Sequence, residues 1–252
     1  ASRALPPRPS GRGFTRKLMK HVSGKVVLIL NAPPGAGKDT LAGDDDWCQR
    51  VGDMLLADYQ IDKGGRFSCD VEHVSFKSGM FDILPSILNV GLDPEGVSEF
   101  YDRYDDRALK EQPWDKLGGM SPRQFMIFLS ENFMKVVFGK DVFGKFSARL
   151  ASYPVCGVGG EVCVFSDGGF SEEVNEVVKA VGAENIYVLQ WEAEGCSFDN
   201  DSRRYLSSDE IIDGVKFVML PHNMKDGDLA GWKAACLKRV SDYMEAEVSR
   251  AN

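Results

Sequence analysis

A short apolar run, Lys25–Asn31 (KVVLILN), leads directly into Ala32-Pro33-Pro34-Gly35-Ala36-Gly37-Lys38-Asp39-Thr40 and then into a helical pattern. Seven residues dominated by Val, Ile and Leu, without polar alternation, predict a strand covered on both faces. A strand, a glycine loop and a helix in that order let backbone N–H groups converge on phosphate oxygens, and the helix start adds positive potential. Pro34, Gly35, Ala36, Gly37, Lys38, Asp39 and Thr40 are therefore the candidate phosphate cradle. Lys38 would reach the outer phosphates of a nucleoside triphosphate. Asp39 stands where a Mg²⁺-facing hydroxyl is usual, so Thr40, one step on, is the candidate donor.

Four further runs read as buried strands: Val71–Phe76, Glu161–Ser166, Asn185–Trp191 and Val215–Leu220. Helical patterns lie between and after them, over Lys38–Tyr59, Ser121–Phe138, Ser171–Val181 and Asp228–Val248. Ser121-Pro122 is a helix start, with Ser as cap and Pro in the first turn. Phe125, Phe128, Leu129, Phe133 and Val136 are expected on the buried side of that helix. Leu229, Trp232, Cys236, Val240 and Tyr243 are expected as a packing stripe on the last one. Strands alternating with helices imply βαβ units and a doubly wound parallel sheet. Residues 78–120 are the least regular stretch, suited to a substrate lid.

The formal net charge is −8, but the first 20 residues carry +6 and no acid, so the remaining chain carries −14. An acidic body disfavours a large nucleic-acid footprint and leaves room for a small phosphorylated ligand. Residues 1–22, basic and broken by prolines, read as a disordered tail; residues 23–252 read as one domain. No apolar run is long enough to predict a membrane span. The six cysteines (48, 69, 156, 163, 196, 236) lack zinc-ligand spacing and read as reduced, mostly buried thiols of a cytoplasmic protein.

Beyond the loop, Asp167 ends the third apolar run, where a carboxylate can approach a metal or the reacting phosphates. The neighbours Asp44, Asp45 and Asp46 fan around a helix axis and so do not converge on a metal. Phosphoryl transfer needs positive charge around the acceptor. Arg103, Arg107, Lys110, Arg123, Arg203 and Arg204 are the candidates. Arg123 stands out, because a cation in a first helical turn is unfavourable unless an anion balances it.

The ordered set resembles the deoxynucleoside monophosphate kinases of tailed bacteriophages. It comprises Gly37-Lys38-Asp39-Thr40, Tyr104–Pro113 (YDDRALKEQP) with Ser121-Pro122-Arg123, Leu129-Ser130-Glu131 with Gly139–Gly144, Ser166-Asp167-Gly168-Gly169-Phe170, and the closing strand and turn of Phe217–Leu229. The resemblance implies a three-layer α/β P-loop kinase fold, with a five-stranded parallel sheet and a helical substrate-binding insertion over 78–120. It implies ATP and Mg²⁺ held by Lys38, Thr40 and Asp167, and a deoxynucleoside monophosphate held by Lys77, Arg107, Lys110, Arg123 and Glu131. Arg103, Arg203 and Arg204 complete that set. A homodimer in the host cytoplasm is also implied. One departure is Gly168-Gly169, where many relatives have an arginine. It keeps open a second reading, a P-loop kinase acting on hydroxymethyluracil in DNA. A non-catalytic nucleotide-binding switch is the third.

Overall fold

The computed structural model describes residues 24–57, 69–153, 160–199, 201–223 and 227–251. The expected basic tail, Cys156 and the end of the first helical pattern lie outside them.

The strands are β1 (Lys25–Asn31), β2 (Asp70–Val74), β3 (Glu161–Phe165), β4 (Ile186–Gln190) and β5 (Lys216–Met219). They form one all-parallel sheet in the order β2-β3-β1-β4-β5. All seven residues of the central β1 are buried. Val26, Leu28 and Leu30 enter one core, while Val27 and Ile29 enter the other. Each such side chain withdrawn from water contributes roughly 1.5–3 kcal/mol, which is why the apolar run lies mid-sheet. β2 is an edge strand and only Val74 in it is fully buried, unlike the two-sided cover its sequence predicts.

Helices α1 (Lys38–Ala42) and α2 (Asp45–Leu55) follow β1. After β2 come α3 (Ser78–Gly91), α4 (Pro94–Asp105), α5 (Pro122–Phe128), α6 (Lys135–Phe138) and α7 (Val142–Ala151). Helix α8 (Ser171–Val181) joins β3 to β4, and α9 (Leu229–Ala251) ends the described chain. The chain moves one way across the sheet from β1 to β2 and the opposite way from β2 to β3 and from β3 to β4. Right-handed crossovers then put α2 on one face and α3, α7 and α8 on the other. The outcome is three layers, helices on both faces of a parallel sheet. No helix among the described residues is long and apolar enough to cross a membrane.

Three sequence expectations need correction. The helix expected over 38–59 breaks at Gly43, and Asp44 starts a second one by accepting from Trp47 N at 3.0 Å. Lys233 of α9 pairs with Asp44 at 2.6 Å and thereby fixes the break to the opposite helix. The helix expected over 121–138 contains a π-helical turn, Leu129–Met134, which shifts its register. Phe128, Phe133 and Val136, expected inside, are exposed, and so is Leu229. Finally, the stretch 78–120 is well built, with Met80, Leu84, Leu88, Phe100, Trp114 and Leu117 all in the core.

Candidate functional site

The crossover that follows β1 lies on one face of the sheet, and the crossover that follows its neighbour β3 lies on the other. Crevices beyond the carboxyl ends of strands at such a switch point are where open α/β sheets hold ligands. The glycine loop leaves β1 there. Gly35 and Gly37 have φ of 79° and 88°, so the loop turns in a conformation that side chains disfavour. Asn223 Nδ2 and Trp191 Nε1 both donate to Ala36 O, at 3.1 and 2.9 Å, and pin the loop against the β4 side of the sheet. Lys38 is buried and donates to Ala32 O and Pro33 O at 2.5 and 2.6 Å. Burial first, and then the charge of Arg203, bring its ammonium down to about 8. Asp39 and Thr40 face solvent in the first turn of α1.

Asn31, fully buried at the end of β1, binds both neighbouring loops. Its amide donates to Gly168 O and Arg204 O at 3.2 and 3.0 Å, and its carbonyl accepts from Leu206 N and Gln190 Nε2 at 2.7 Å each. Every hydrogen-bonding position of this side chain is used, so the segment carrying Arg203 is held rigidly to the sheet.

A cavity of about 450 Å³ opens beside this crevice. Lys77, Lys110, Arg123, Lys135 and Arg203 line it together with Asp167, Glu131, Glu173 and Asp201, and Tyr104 and Phe170 add aromatic wall. Asp167 accepts from Ser75 Oγ at 2.6 Å and from Phe76 N at 3.1 Å, which fixes the loop entering α3. Lys77 opens to solvent, yet surrounding protein atoms lower its pKa; Asp167 opposes this, and Arg203 and Arg123 reinforce it. Burial likewise lowers Lys110, with Lys77 and Arg123 adding to the effect. Lys110 Nζ sits 3.6 Å from the centre of the Tyr104 ring. Arg123, in the first turn of α5, pairs with Glu111 at 3.2 Å. Among the described residues, Lys77 and Lys110 have no carboxylate within ion-pair distance.

Arg203 connects the two parts of the site. Asp201 grips it with paired contacts of 2.9 and 2.8 Å, and this holds the Asp201 carboxyl down at about 2. Arg203 lines the cavity, while its charge also acts on Lys38 and is itself favoured by Asp39.

The cavity thus gathers Lys77, Lys110, Arg123, Glu131, Asp167 and Arg203 from the sequence-predicted set. It leaves out three arginines. Arg103 pairs with Glu99 at 3.1 Å and packs over Trp114, Arg107 lies on an exposed turn, and Arg204 points to Glu210 at 2.5 Å. Sequence reasoning missed Asn31, Lys135, Glu173 and Asp201. Glu173 was legible only as a helix-start acid, and nothing in the sequence marks Lys135, because the π turn sets its direction.

Asp44, Asp45 and Asp46 diverge to Lys233, His73 and Arg50, as the helix geometry predicts. Glu72, Glu161 and Cys163 do come within 4.8 Å of one another, but at the other end of the strands, where Lys25 already pairs with Glu161 at 2.5 Å. The described cysteines are free, and Cys48, Cys69, Cys163 and Cys236 are buried. No protein-family model matches the chain, and no curated protein matches its sequence.

Proposed function

We propose that the chain is an ATP-dependent kinase of the P-loop class, transferring the γ-phosphate to the 5′-phosphate of a deoxynucleoside monophosphate. The observation that carries this reading is a pair of uncompensated lysines, Lys77 and Lys110. They face a cavity next to a glycine loop at the switch point of a parallel sheet. Two ammonium groups whose pKa values burial lowers, with Arg123 adding to the effect on both, favour the arrival of an anion. A phosphate monoester supplies two negative charges of the right size. Arg123 and Arg203 add the directional donors that a phosphate needs.

The loop at Pro34–Thr40 suits the triphosphate partner. Lys38 would leave the carbonyls of Ala32 and Pro33 for the outer phosphates. Arg203 lies between the two halves, where charge develops on the transferred group. In the reaction, an acceptor phosphate oxygen bonds to the γ-phosphorus as its bond to the β–γ bridging oxygen breaks, and ADP carries that electron pair away. The protein's part is to align the two substrates and to stabilise charge. Hydroxyl and carboxylate oxygens from Thr40 and Asp167 are hard donors of the kind that suits Mg²⁺. Both Asp167 oxygens already accept protein hydrogen bonds, which favours contact through the waters that this ion tends to keep. Mg²⁺, when bound, supplies charge neutralisation on the ATP phosphates.

Gly168-Gly169 no longer argues for DNA as the acceptor. Arg203 lies against Gly169 and supplies the cation that this loop lacks. The test is an ATP–Mg²⁺ transfer assay with each deoxynucleoside monophosphate, beside hydroxymethyluracil duplex DNA and a Lys38→Ala control. Diphosphate formation that depends on Lys38 supports the reading. Label found only on DNA, or on neither acceptor, overturns it.

A further inference from the structure

The carbonyl of Ala36 is held by two donors from different parts of the chain, Trp191 Nε1 at 2.9 Å and Asn223 Nδ2 at 3.1 Å. Both donors are fixed by contacts of their own. Trp191, just past β4, is fully buried; its ring lies 5.8 Å from that of Trp232, and its carbonyl accepts from Tyr205 OH at 2.8 Å. Asn223 prolongs the parallel pairing of β5 with β4. Its N–H donates to Glu192 O and its carbonyl accepts from Glu194 N, each at 2.9 Å. The sheet thus reaches past its strand ends to grip one carbonyl of the glycine loop.

That grip has a geometric consequence. A trans peptide is planar, with its C=O and N–H pointing in opposite directions. Fixing Ala36 O against buried Trp191 therefore turns the N–H of Gly37 the other way, to the open side of the loop. Among the described residues no protein acceptor meets that N–H. Glycine does not enforce this orientation. Gly37 has φ of 88° and is equally at ease at negative φ, so the Ala36–Gly37 peptide could turn over at little steric cost. The turned-over loop would present the Ala36 oxygen to an incoming phosphate and repel it. Resting on the nucleotide-binding half of the kinase reading above, we infer that Trp191 and Asn223 are positioning residues for ATP. Together they hold the Ala36–Gly37 peptide in the orientation that aims an N–H at the phosphates.

Two donors on one acceptor leave a signature that separate packing contacts lack. With either donor gone, the other still holds the carbonyl. With both gone, the peptide distributes between its two orientations, and apparent affinity falls with the fraction in the competent one. The combined loss should then exceed the product of the single losses, whereas independent contributions multiply. Asn223→Ala removes one donor from a half-buried side chain. Trp191→Phe removes the other and keeps an aromatic ring beside Trp232.

The experiment is titration calorimetry of the full chain with ADP and Mg²⁺, using the natural sequence, the two single variants and the double variant. Steady-state KM values for ATP and for the acceptor accompany it. Each single variant should weaken ADP about twofold and the double variant about tenfold or more. ATP KM should follow, with acceptor KM unchanged. Losses that merely multiply overturn the inference, as does an equal rise in acceptor KM, which would mean a general structural role. Should Trp191→Phe not fold, the natural protein decides by nuclear magnetic resonance. Labelling alanine carbonyls with ¹³C and glycine amides with ¹⁵N isolates the peptides Ala36–Gly37, Ala42–Gly43 and Ala230–Gly231. The Gly37 amide proton should move downfield as ADP binds, and a Gly37 signal that stays in place overturns the inference. If the natural protein binds no ADP, the kinase reading fails and this inference with it. Binding without the cooperative loss fails this inference alone, and cooperative loss without phosphate transfer fails the kinase reading alone.

Discussion

The stem of Arg203 lies directly on Gly169: a Cβ added to that glycine would stand 2.7 Å from Arg203 Cβ and 2.8 Å from its Cγ. The adjacent Gly168 is small for another reason, since a Cβ there would meet Ile29 Cγ2 of β1 at 2.4 Å. One glycine lets the loop lie on the sheet, and the other makes room for a cation from a distant part of the chain. Gly169→Ala should therefore push Arg203 aside. Acceptor KM should rise about tenfold with little change in ATP KM, and stability should fall by about 1–3 kcal/mol. Adding Arg203→Gly, which removes the Cβ that the new methyl meets, should recover part of the stability but not the acceptor KM. Steady-state kinetics and denaturant midpoints of the two variants check this, and additive stability losses would count against the contact.

Asn31→Asp tests whether the site depends on its anchor. The substitution keeps shape but replaces the amide nitrogen, which donates to Gly168 O and Arg204 O, with an oxygen that repels both carbonyls. A loss of about 2–4 kcal/mol is expected from a buried group so disrupted. Acceptor binding should weaken with it, because both loops around Arg203 lose their tie to β1. A denaturant midpoint matching the natural protein would refute the anchor role.

The strands were legible because buried parallel strands announce themselves as apolar runs: β1 matches its sequence range, β3, β4 and β5 lie within theirs, and β2 starts one residue early, at Asp70. The glycine loop was legible for the same reason, since it follows such a run. The helix over 121–138 was not, because periodicity assumes 3.6 residues per turn and the π turn at Leu129–Met134 changes the count. Ser130, Glu131 and Lys135 consequently turn to the cavity, while Phe128, Phe133 and Val136 turn to solvent. The arginines divide by a different rule. Arg103 and Arg204 have acids nearby in sequence, Glu99 and Glu210, which draw them away from the cavity. Pairings that bridge loops, such as Arg203 on Gly169, have no local signature.

Val136 gives that correction a direct test. It is 73% exposed, so Val136→Lys should change stability by no more than about 0.5 kcal/mol. A buried valine on a core-facing stripe would lose several times more, and a denaturant titration separates the two.

Lys38 should make ATP binding pH-dependent. Its ammonium titrates near 8 in the free protein, so its positive charge is present below that pH and is lost as pH rises through it. ATP affinity should be about tenfold weaker at pH 9 than at pH 7, provided only the charged lysine holds the phosphates. Lys38→Arg, charged throughout, should bind without that dependence, and Lys38→Ala should abolish transfer while melting as a folded protein. Equal pH dependence in the natural protein and Lys38→Arg would remove Lys38 from the contact.

Glu173 makes a prediction about stability that needs no ligand. Burial raises its folded-state pKa to about 8, above the ordinary 4.5, with Lys135, Asp167, Lys77 and Glu131 as the charges that also act on it. Below about 4.5 the carboxyl is protonated whether the chain is folded or not, and the group adds no pH dependence. Between about 4.5 and 8 the unfolded chain releases this proton while the folded one retains it, so stability falls as pH rises. Above about 8 both states are ionised, and this contribution becomes flat. Removing the titration with Glu173→Gln should therefore favour the variant progressively from pH 5 to pH 8, by an amount on the order of 2–4 kcal/mol. Denaturant unfolding of both proteins at the two pH values measures the difference of differences, which cancels the constant cost of the substitution. A difference that is zero, or that favours the natural protein at pH 8, would mean that Glu173 is ionised when folded.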